Sequence, residues 1–201
     1  MALVALLWWL IAGTSATRRY VVAVDLVIAG EANTLRGVWE ATTREASIKL
    51  PFGIQTTDET HGQALFIEVD DHTAVFVLMR GRGGFPYAGY GNFLRDCAYR
   101  SLDEFRSYEG TCTTNRRPEI LVARGDLHGS EVPELFIGAE GSGIDVTMNG
   151  VSATTTSDWV AGGIEQKFPW IGRLKRYGMT SQADPDQSIA KEFVYKLDLA
   201  R

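Results

Sequence analysis

The stretch ALFIEVDDHTAVFVLM, residues 64–79, decides the fold class of this chain. Its two halves, 64–69 and 73–79, are rich in branched and aromatic residues, which favour β-strands. A polar Asp-Asp-His triplet lies between the halves at 70–72, and aspartates are common in tight turns. The stretch therefore predicts a β-hairpin in a domain built on antiparallel sheet.

Alternation of apolar and polar residues predicts a second hairpin nearer the start of the chain. Residues 20–28 alternate with a period of two, a break follows at 30–33, and residues 35–41 resume the alternation. Strands with one buried face show this period because successive side chains point to opposite faces. Further strands are predicted at residues 47–50, 120–124, 135–139 and 193–199.

A third hairpin is predicted around the dipeptide Asn149 and Gly150. Strand-like runs occupy residues 144–148 and 151–155 on either side of it. An Asn-Gly pair between two such runs suits a two-residue turn in which both residues have positive φ. We therefore expect these runs to be two antiparallel strands joined by a tight turn.

One segment, residues 92–108, has a convincing helical period, with apolar side chains on a stripe opposite charged ones. Gly110 follows, and glycine is common just past the end of a helix. A shorter helical turn is predicted at residues 163–168, stopped by Pro169. Short strands with one principal helix predict an α+β domain, mainly antiparallel β-sheet.

The first sixteen residues are typical of an export signal. Residues 2–13 are apolar, and the small residues that follow end at Ala16, after which cleavage is predicted. A helix over residues 2–13 would span about 18 Å, whereas the hydrocarbon core of a bilayer is about 30 Å thick. The sequence thus predicts a signal peptide or N-terminal anchor at 1–16 and a single β-rich globular domain at 17–201.

Two features of this leader oppose cleavage and export. No Lys or Arg precedes the apolar run, and Arg18 and Arg19 lie directly behind it, where basic residues disfavour translocation. An uncleaved N-terminal anchor is one alternative, in which this segment alone contacts the membrane. A buried first element of a cytosolic domain is the other.

The two cysteines, Cys97 and Cys112, agree with export because thiols in an oxidising compartment pair. Closing a loop of this size stabilises a folded chain by about 3 kcal/mol. Two unrelated buried thiols are the alternative. With the leader, the predicted disulfide indicates an extracytoplasmic protein, either periplasmic or secreted.

Composition excludes several functional classes. The chain has 201 residues, of which 45% are hydrophobic, so it is neither disordered nor fibrous. Its 25 acidic residues exceed its 20 basic ones, which argues against a nucleic-acid partner. No phosphate-binding glycine motif occurs, and His61, His72 and His128 lack the spacing of metal ligands. We therefore predict no cofactor and no metal.

Aromatic residues outside the regular patterns are the candidate binding residues. The glycine-rich segment at 80–93 carries Tyr87 and Tyr90, which belong either to a packed connector or to an exposed loop that contacts a partner. Trp159 and Trp170, close to a basic cluster, form a second candidate surface, with a core position as the alternative. The leading hypothesis is a non-enzymatic exported or membrane-tethered domain that binds another protein or an envelope component.

An envelope hydrolase is the rival hypothesis. His61 or His128 would serve as the base, and a serine in a turn, such as Ser142 in Gly-Ser-Gly, or a carboxylate would be its partner. No GxSxG motif occurs, so only the spatial arrangement distinguishes the two hypotheses. Convergence of a histidine, an acid and a nucleophile would favour the hydrolase.

Overall fold

A computed structural model describes residues 14–45, 56–81 and 101–177. The strands in these ranges are β1 (Thr14–Ile28), β2 (Glu31–Glu45), β3 (Thr56–His61), β4 (Leu65–Asp70), β5 (Thr73–Gly81), β6 (Thr111–Thr114), β7 (Pro118–Arg124), β8 (Glu134–Ile137) and β9 (Val146–Thr156). The helices are α1 (Leu102–Ser107), α2 (Ile164–Lys167) and α3 (Pro169–Tyr177). The predicted strands at 47–50 and 193–199 lie outside the described residues.

The described strands form two sheets. The five-stranded sheet has the order β3-β2-β1-β9-β6, and the four-stranded sheet has the order β4-β5-β7-β8. Every neighbouring pair of strands is antiparallel. The prediction of a mainly antiparallel β-sheet domain with few helical residues is therefore confirmed for this part of the chain.

The hairpin of β1 and β2 is longer than the alternation of its sequence indicated. Its register pairs Thr14 with Glu45 at one end and Ile28 with Glu31 at the other. Ala29 and Gly30 form the two-residue turn, with φ of 50° and 87°. Positive φ at both positions matches the twist of the strands, so the chain turns here rather than over 30–33.

The two sheets pack face to face around one apolar core. Alternate side chains of β1, including Tyr20, Val22 and Val24, are buried against this core. Val77 of β5 and Val122 of β7 enter the same core from the four-stranded sheet. This arrangement is a β-sandwich, in which each strand of the five-stranded sheet keeps its other face outward.

Helices α2 and α3 cover the second face of the four-stranded sheet. Phe76 of β5 makes edge-on ring contacts with Phe168 and Trp170, at centroid distances of 5.1 and 5.8 Å. Strand β5 is thus buried on both faces, which explains its continuous apolar run. The described chain has three layers: the five-stranded sheet, the four-stranded sheet and the helices.

Asn149 and Gly150 do not form a hairpin turn, so that prediction is wrong. Both lie inside β9, which runs antiparallel to β1 over its whole length. The ladder pairs Leu26 with Met148 and Asp25 with Gly150, leaving Asn149 as the extra residue of a β-bulge. The bulge lets Met148 and Val151 both face the core although they are an odd number of positions apart.

The three described helices agree with the sequence predictions to different extents. The predicted continuous helix at 92–108 is wrong, because Ser101 has extended backbone (φ −138°, ψ 163°) and its side chain caps α1, which covers only Leu102–Ser107. Residues 92–100 lie outside the described residues. Helix α2 follows Gly163 and ends before Phe168, as predicted. Helix α3 was not predicted, because Pro169 was treated as a stop signal. Proline also suits the first turn of a helix, where its missing N–H has no intrahelical partner.

The predicted cleavage position, after Ala16, lies inside strand β1. Strand β1 begins at Thr14, and Ala16 is buried in the sandwich core. The Ser15 carbonyl accepts a hydrogen bond from Arg106 of α1 at 3.1 Å. Residues 1–13 lie outside the described residues, so the predicted signal or anchor stays a prediction.

Candidate functional site

The outer face of the five-stranded sheet is rich in hydroxyl groups. We use this name for the face that points away from the four-stranded sheet. On it, Thr17 of β1 lies opposite Thr42 of β2, and their hydroxyl oxygens are 2.8 Å apart. Thr111 of β6 and Thr154 of β9 form an equivalent pair, also at 2.8 Å. Cross-strand threonine pairs of this kind stabilise a sheet and leave polar groups facing solvent.

Arg19 and Glu40 form an ion pair beside the first of these threonine pairs. Arg19 lies two residues after Thr17 on β1, and its Nε donates a hydrogen bond to Glu40 Oε2 at 2.9 Å. Each of these two side chains is about one quarter exposed. A pair this sheltered holds its geometry better than a fully exposed one.

Trp159 stacks on this ion pair. The Arg19 guanidinium carbon lies 4.0 Å from the centre of the indole ring, which is a cation–π contact. Even so, 79% of Trp159 is exposed. The indole is therefore held against the sheet on one side and open to solvent on the other.

The end of β9 positions Trp159. Thr156 lies opposite Arg19 in the register of β9 and β1, and its hydroxyl accepts the Asp158 backbone N–H at 3.1 Å. This local bond turns the chain away from the strand. The connection at 157–163 then leads to α2, and Gly163 at φ 110° precedes that helix. We call Arg19, Glu40 and Trp159, with the two threonine pairs, the Trp159 platform.

Among the described residues, the other large apolar side chains that are exposed lie away from the Trp159 platform. They are Val69, Val132 and Ile137, each with about 40% exposure. Val69 and Ile137 belong to β4 and β8, the edge strands of the four-stranded sheet, and Val132 lies just before β8. Trp159 thus lies apart from these three residues, and the apolar pair beside Arg19 and Glu40 on its own face, Val21 and Val38, is half-buried.

The predicted aromatic residues have different positions. Trp159 is at the surface, whereas Trp170 is fully buried and donates its indole N–H to the Leu127 carbonyl at 3.0 Å. Trp170 therefore takes the alternative role, a core tryptophan, because its ring fills the space between α3 and β5. Tyr87 and Tyr90 lie outside the described residues and stay predicted binding residues.

The predicted disulfide has one of its two cysteines, Cys112, within the described residues. Cys97 lies outside the described residues, and Cys112 is half-buried in β6 opposite Ala153. The segment around Cys112 forms the edge strand β6, which pairs with β9. The Cys97–Cys112 bond stays a prediction.

His72 and His128 lie at separate places. His72 is in the turn between β4 and β5, and its ring Nδ1 is 3.4 Å from the Gly125 carbonyl oxygen. His128 Nδ1 is 3.2 Å from the Lys167 carbonyl oxygen, and its Nε2 is 3.9 Å from Glu68 Oε2. In the described part of the chain, no serine hydroxyl hydrogen-bonds to either ring.

Ser142, the serine of the Gly-Ser-Gly turn, is buried. Its hydroxyl donates to the Ala139 carbonyl at 2.7 Å and accepts the Ile144 N–H at 3.2 Å. These bonds stabilise its own turn, so the hydroxyl is not presented to a substrate. Within residues 14–45, 56–81 and 101–177, no group of three His, Cys, Asp or Glu side chains could hold a metal ion.

Arg19 and Glu40 were missed by sequence reasoning. In the sequence, Arg19 stands out only as a basic residue behind the leader, and no motif near Arg19 or Glu40 indicates an ion pair. The period of two places both on outward positions, but their contact depends on the register between β1 and β2. That register follows from the turn at Ala29 and Gly30. The sequence predicts the turn later, over residues 30–33, and so does not give the correct register.

Comparison of the sequence with protein-family models, with curated proteins and with solved structures finds no match. In the part of the chain that the structure describes, no helix is both long and apolar enough to cross a membrane.

Proposed function

We propose that the chain is an exported or membrane-tethered, non-enzymatic domain that binds another protein or an envelope component through the Trp159 platform. The observation that carries this proposal is the 79% exposure of Trp159 above an arginine that is itself fixed by an ion pair. The placement outside the cytoplasm depends on the apolar leader and the two cysteines, and is part of the proposal.

The energetics of an exposed indole support binding. Covering a large aromatic ring removes apolar surface from water, which is worth about 2 kcal/mol for a side chain of this size. Tryptophan is also enriched among the residues that dominate binding energies. Because Arg19 and Glu40 hold the ring in place, less conformational entropy is lost when a ligand covers it.

The surroundings of His128 favour a binding role over hydrolysis, while His61, the other candidate base, lies opposite Glu40 in the register of β3 and β2. His128 has an acid nearby in Glu68, yet Glu68 Oε1 also forms an ion pair with Lys167 Nζ at 2.8 Å, so this carboxylate already has a cationic partner. A depression of about 230 Å³ lies elsewhere, at one end of the sandwich. Its lining contains no carboxylate, imidazole or thiol and so offers no general acid or base. Its lining residues are Arg117, Pro118, Ile120, Gly138, Val146, Thr147 and Met148.

The test compares two variants of the full-length chain. Trp159→Ala removes the ring, and Ile137→Ala is the matched control because Ile137 is also exposed but lies on β8. Each immobilised variant is incubated with the cell-envelope fraction of the source cells, and the retained material is quantified. We expect Trp159→Ala to retain about tenfold less and the control to equal the wild type. Equal retention by all three chains would contradict the proposal.

A further inference from the structure

We infer that the ligand of the Trp159 platform is an uncharged polysaccharide. This inference rests on the proposed function and specifies the envelope component that the platform binds. It follows from three features of the platform: the open face of the indole, the hydroxyl pairs beside it, and the neutralised charge beneath it.

The open indole face suits a sugar ring. The C–H groups of a pyranose carry a slight positive charge, and the face of an indole is its negative side, so the two stack. Arg19 already occupies the other face at 4.0 Å. A cationic ligand would bring a second positive charge to the same ring, which disfavours it relative to a neutral ligand.

The threonine pairs supply polar partners for sugar hydroxyls. In the pairs Thr17–Thr42 and Thr111–Thr154, one hydroxyl donates to the other, so a hydrogen atom and free lone pairs remain for a ligand. Thr17 is two residues from Arg19, which places this pair about 7 Å along the strand from the platform centre. Sugar hydroxyls also donate and accept, and therefore match such a surface.

The charge of the platform is cancelled internally. Glu40 accepts the Arg19 Nε–H at 2.9 Å, so the cation under the indole has its counterion in the protein. Asp158, next to Trp159, is exposed and negative. The Arg19 cation is therefore already neutralised before an acidic polysaccharide approaches, and Asp158 would repel such a ligand.

A protein partner fits the platform less well. Buried centres of protein interfaces are apolar and contain several large side chains. The other exposed apolar residues in the described ranges, Val69, Val132 and Ile137, lie on or beside the four-stranded sheet instead. The pair Val21 and Val38 beside Arg19 and Glu40 is half-buried, so Trp159 offers a stacking surface without a cluster of large exposed apolar side chains around it.

The test measures retention of the purified full-length chain on insoluble polysaccharides. Microcrystalline cellulose, chitin and β-1,3-glucan are the uncharged probes, and calcium alginate and heparin-agarose are the anionic ones. The bound fraction is measured for the wild type, Trp159→Ala, Trp159→Phe, the double variant Thr17→Val with Thr42→Val, and Ile137→Ala. Thermal unfolding of each chain verifies that it is folded.

We expect at least one uncharged probe to retain the wild type equally in 0.1 and 1 M NaCl. Trp159→Ala should weaken this retention about tenfold, and the double threonine variant should weaken it about threefold. Trp159→Phe should restore part of the loss because it keeps an aromatic face, and Ile137→Ala should match the wild type.

Three results would overturn the inference: no retention on any uncharged probe, retention only on anionic probes with loss in 1 M NaCl, or equal retention of Trp159→Ala. The envelope-fraction assay separates this failure from failure of the proposed function. If Trp159→Ala still loses the envelope material while no uncharged probe binds, the carbohydrate inference alone is wrong. If Trp159→Ala changes neither assay, both are wrong.

Discussion

Arg18 donates a hydrogen bond from Nη2 to the Tyr108 carbonyl at 3.0 Å and thereby ties β1 to the end of α1. Its Nε donates to a second carbonyl there, that of Phe105, at 3.3 Å. The last carbonyls of a helix lack intrahelical partners, and a guanidinium placed against them also complements the helix dipole. Arg18 and Arg19 are therefore parts of the folded domain, one binding α1 and the other supporting Trp159.

Removing the Arg18 guanidinium is predicted to destabilise the domain. Arg18→Met keeps much of the side-chain volume but leaves the Phe105 and Tyr108 carbonyls without this donor. The expected loss in the free energy of unfolding is about 1–2 kcal/mol, measured by urea denaturation. Arg36→Met is the control, because Arg36 is exposed on β2. Equal losses in the two variants would show that Arg18 has no specific role.

The start of β1 gives a second prediction. A chain that begins at Thr14 keeps the pairs of Thr14 with Glu45 and Ser15 with Arg44, as well as the buried Ala16. A chain that begins at Thr17 loses them, together with the bond from Arg106 to the Ser15 carbonyl. We expect the shorter chain to be less stable by about 1–3 kcal/mol in urea denaturation. Identical unfolding curves would show that residues 14–16 add nothing to the fold.

Truncation of the two tryptophans should lower the stability of the domain by very different amounts. Trp170→Ala leaves a cavity between α3 and β5 and removes the donor to the Leu127 carbonyl, so we expect a loss of about 3–5 kcal/mol. Trp159→Ala removes an exposed ring and a cation–π contact, so its loss should stay below about 1 kcal/mol. Thermal or chemical unfolding of both variants measures the difference. A large loss for Trp159→Ala would mean that this residue has a structural role.

These two tryptophans also show what sequence patterns can and cannot predict. The long strands were predictable because alternation is a local property, and the buried run of β5 is visible within nine residues. Burial of Trp170 and exposure of Trp159 depend on partners far away in the chain, Phe76 and Arg19. Trp170 stands between Pro169 and Ile171, and Trp159 follows Ser157 and Asp158, so the neighbouring residues favour burial of Trp170 but do not identify its distant partner.

The edge strands were missed for a related reason. Strands β3 and β6 are short and rich in threonine, and β3 also carries charged residues, so both resemble loops in the sequence. Such composition is common in edge strands because it discourages pairing with other chains. Their assignment to the sheet depends on the neighbouring strands β2 and β9, whose positions the sequence does not specify.

The turn between β4 and β5 predicts a dependence of stability on pH. The His72 backbone N–H donates to Asp70 Oδ1 at 2.8 Å, and this bond lowers the pKa of the Asp70 carboxyl. A carboxyl with a lowered folded-state pKa stabilises the fold above its unfolded pKa of about 3.9, and this stabilisation is lost as pH falls through the folded value.

We therefore expect the free energy of unfolding of Asp70→Asn to fall less than that of the wild type as the pH is lowered from about 4. Asp71→Asn is the control because it leaves the bond from His72 to Asp70 in place. Urea denaturation at several pH values and carboxyl NMR titration measure the effect. A titration of Asp70 at or above its ordinary pKa would contradict the prediction.

The bulge at Asn149 gives the last prediction. If Asn149 is deleted, Met148 still opposes Leu26, Gly150 opposes Asp25 and Val151 opposes Val24, so every inward side chain keeps its face. We expect the deletion to change the free energy of unfolding by less than about 1 kcal/mol, because Asn149 is the unpaired residue of the bulge.

Deleting Ser152 is the matched control for this bulge. Ser152 opposes Ala23 in the regular part of the ladder. Its removal would move one part of β9 to the wrong face of the sheet, since side chains alternate with a period of two. That variant should unfold or lose several kcal/mol, as circular dichroism and urea denaturation would show. If deletion of Asn149 is as damaging as deletion of Ser152, then Asn149 and Gly150 are required as a turn and β9 is not one continuous strand.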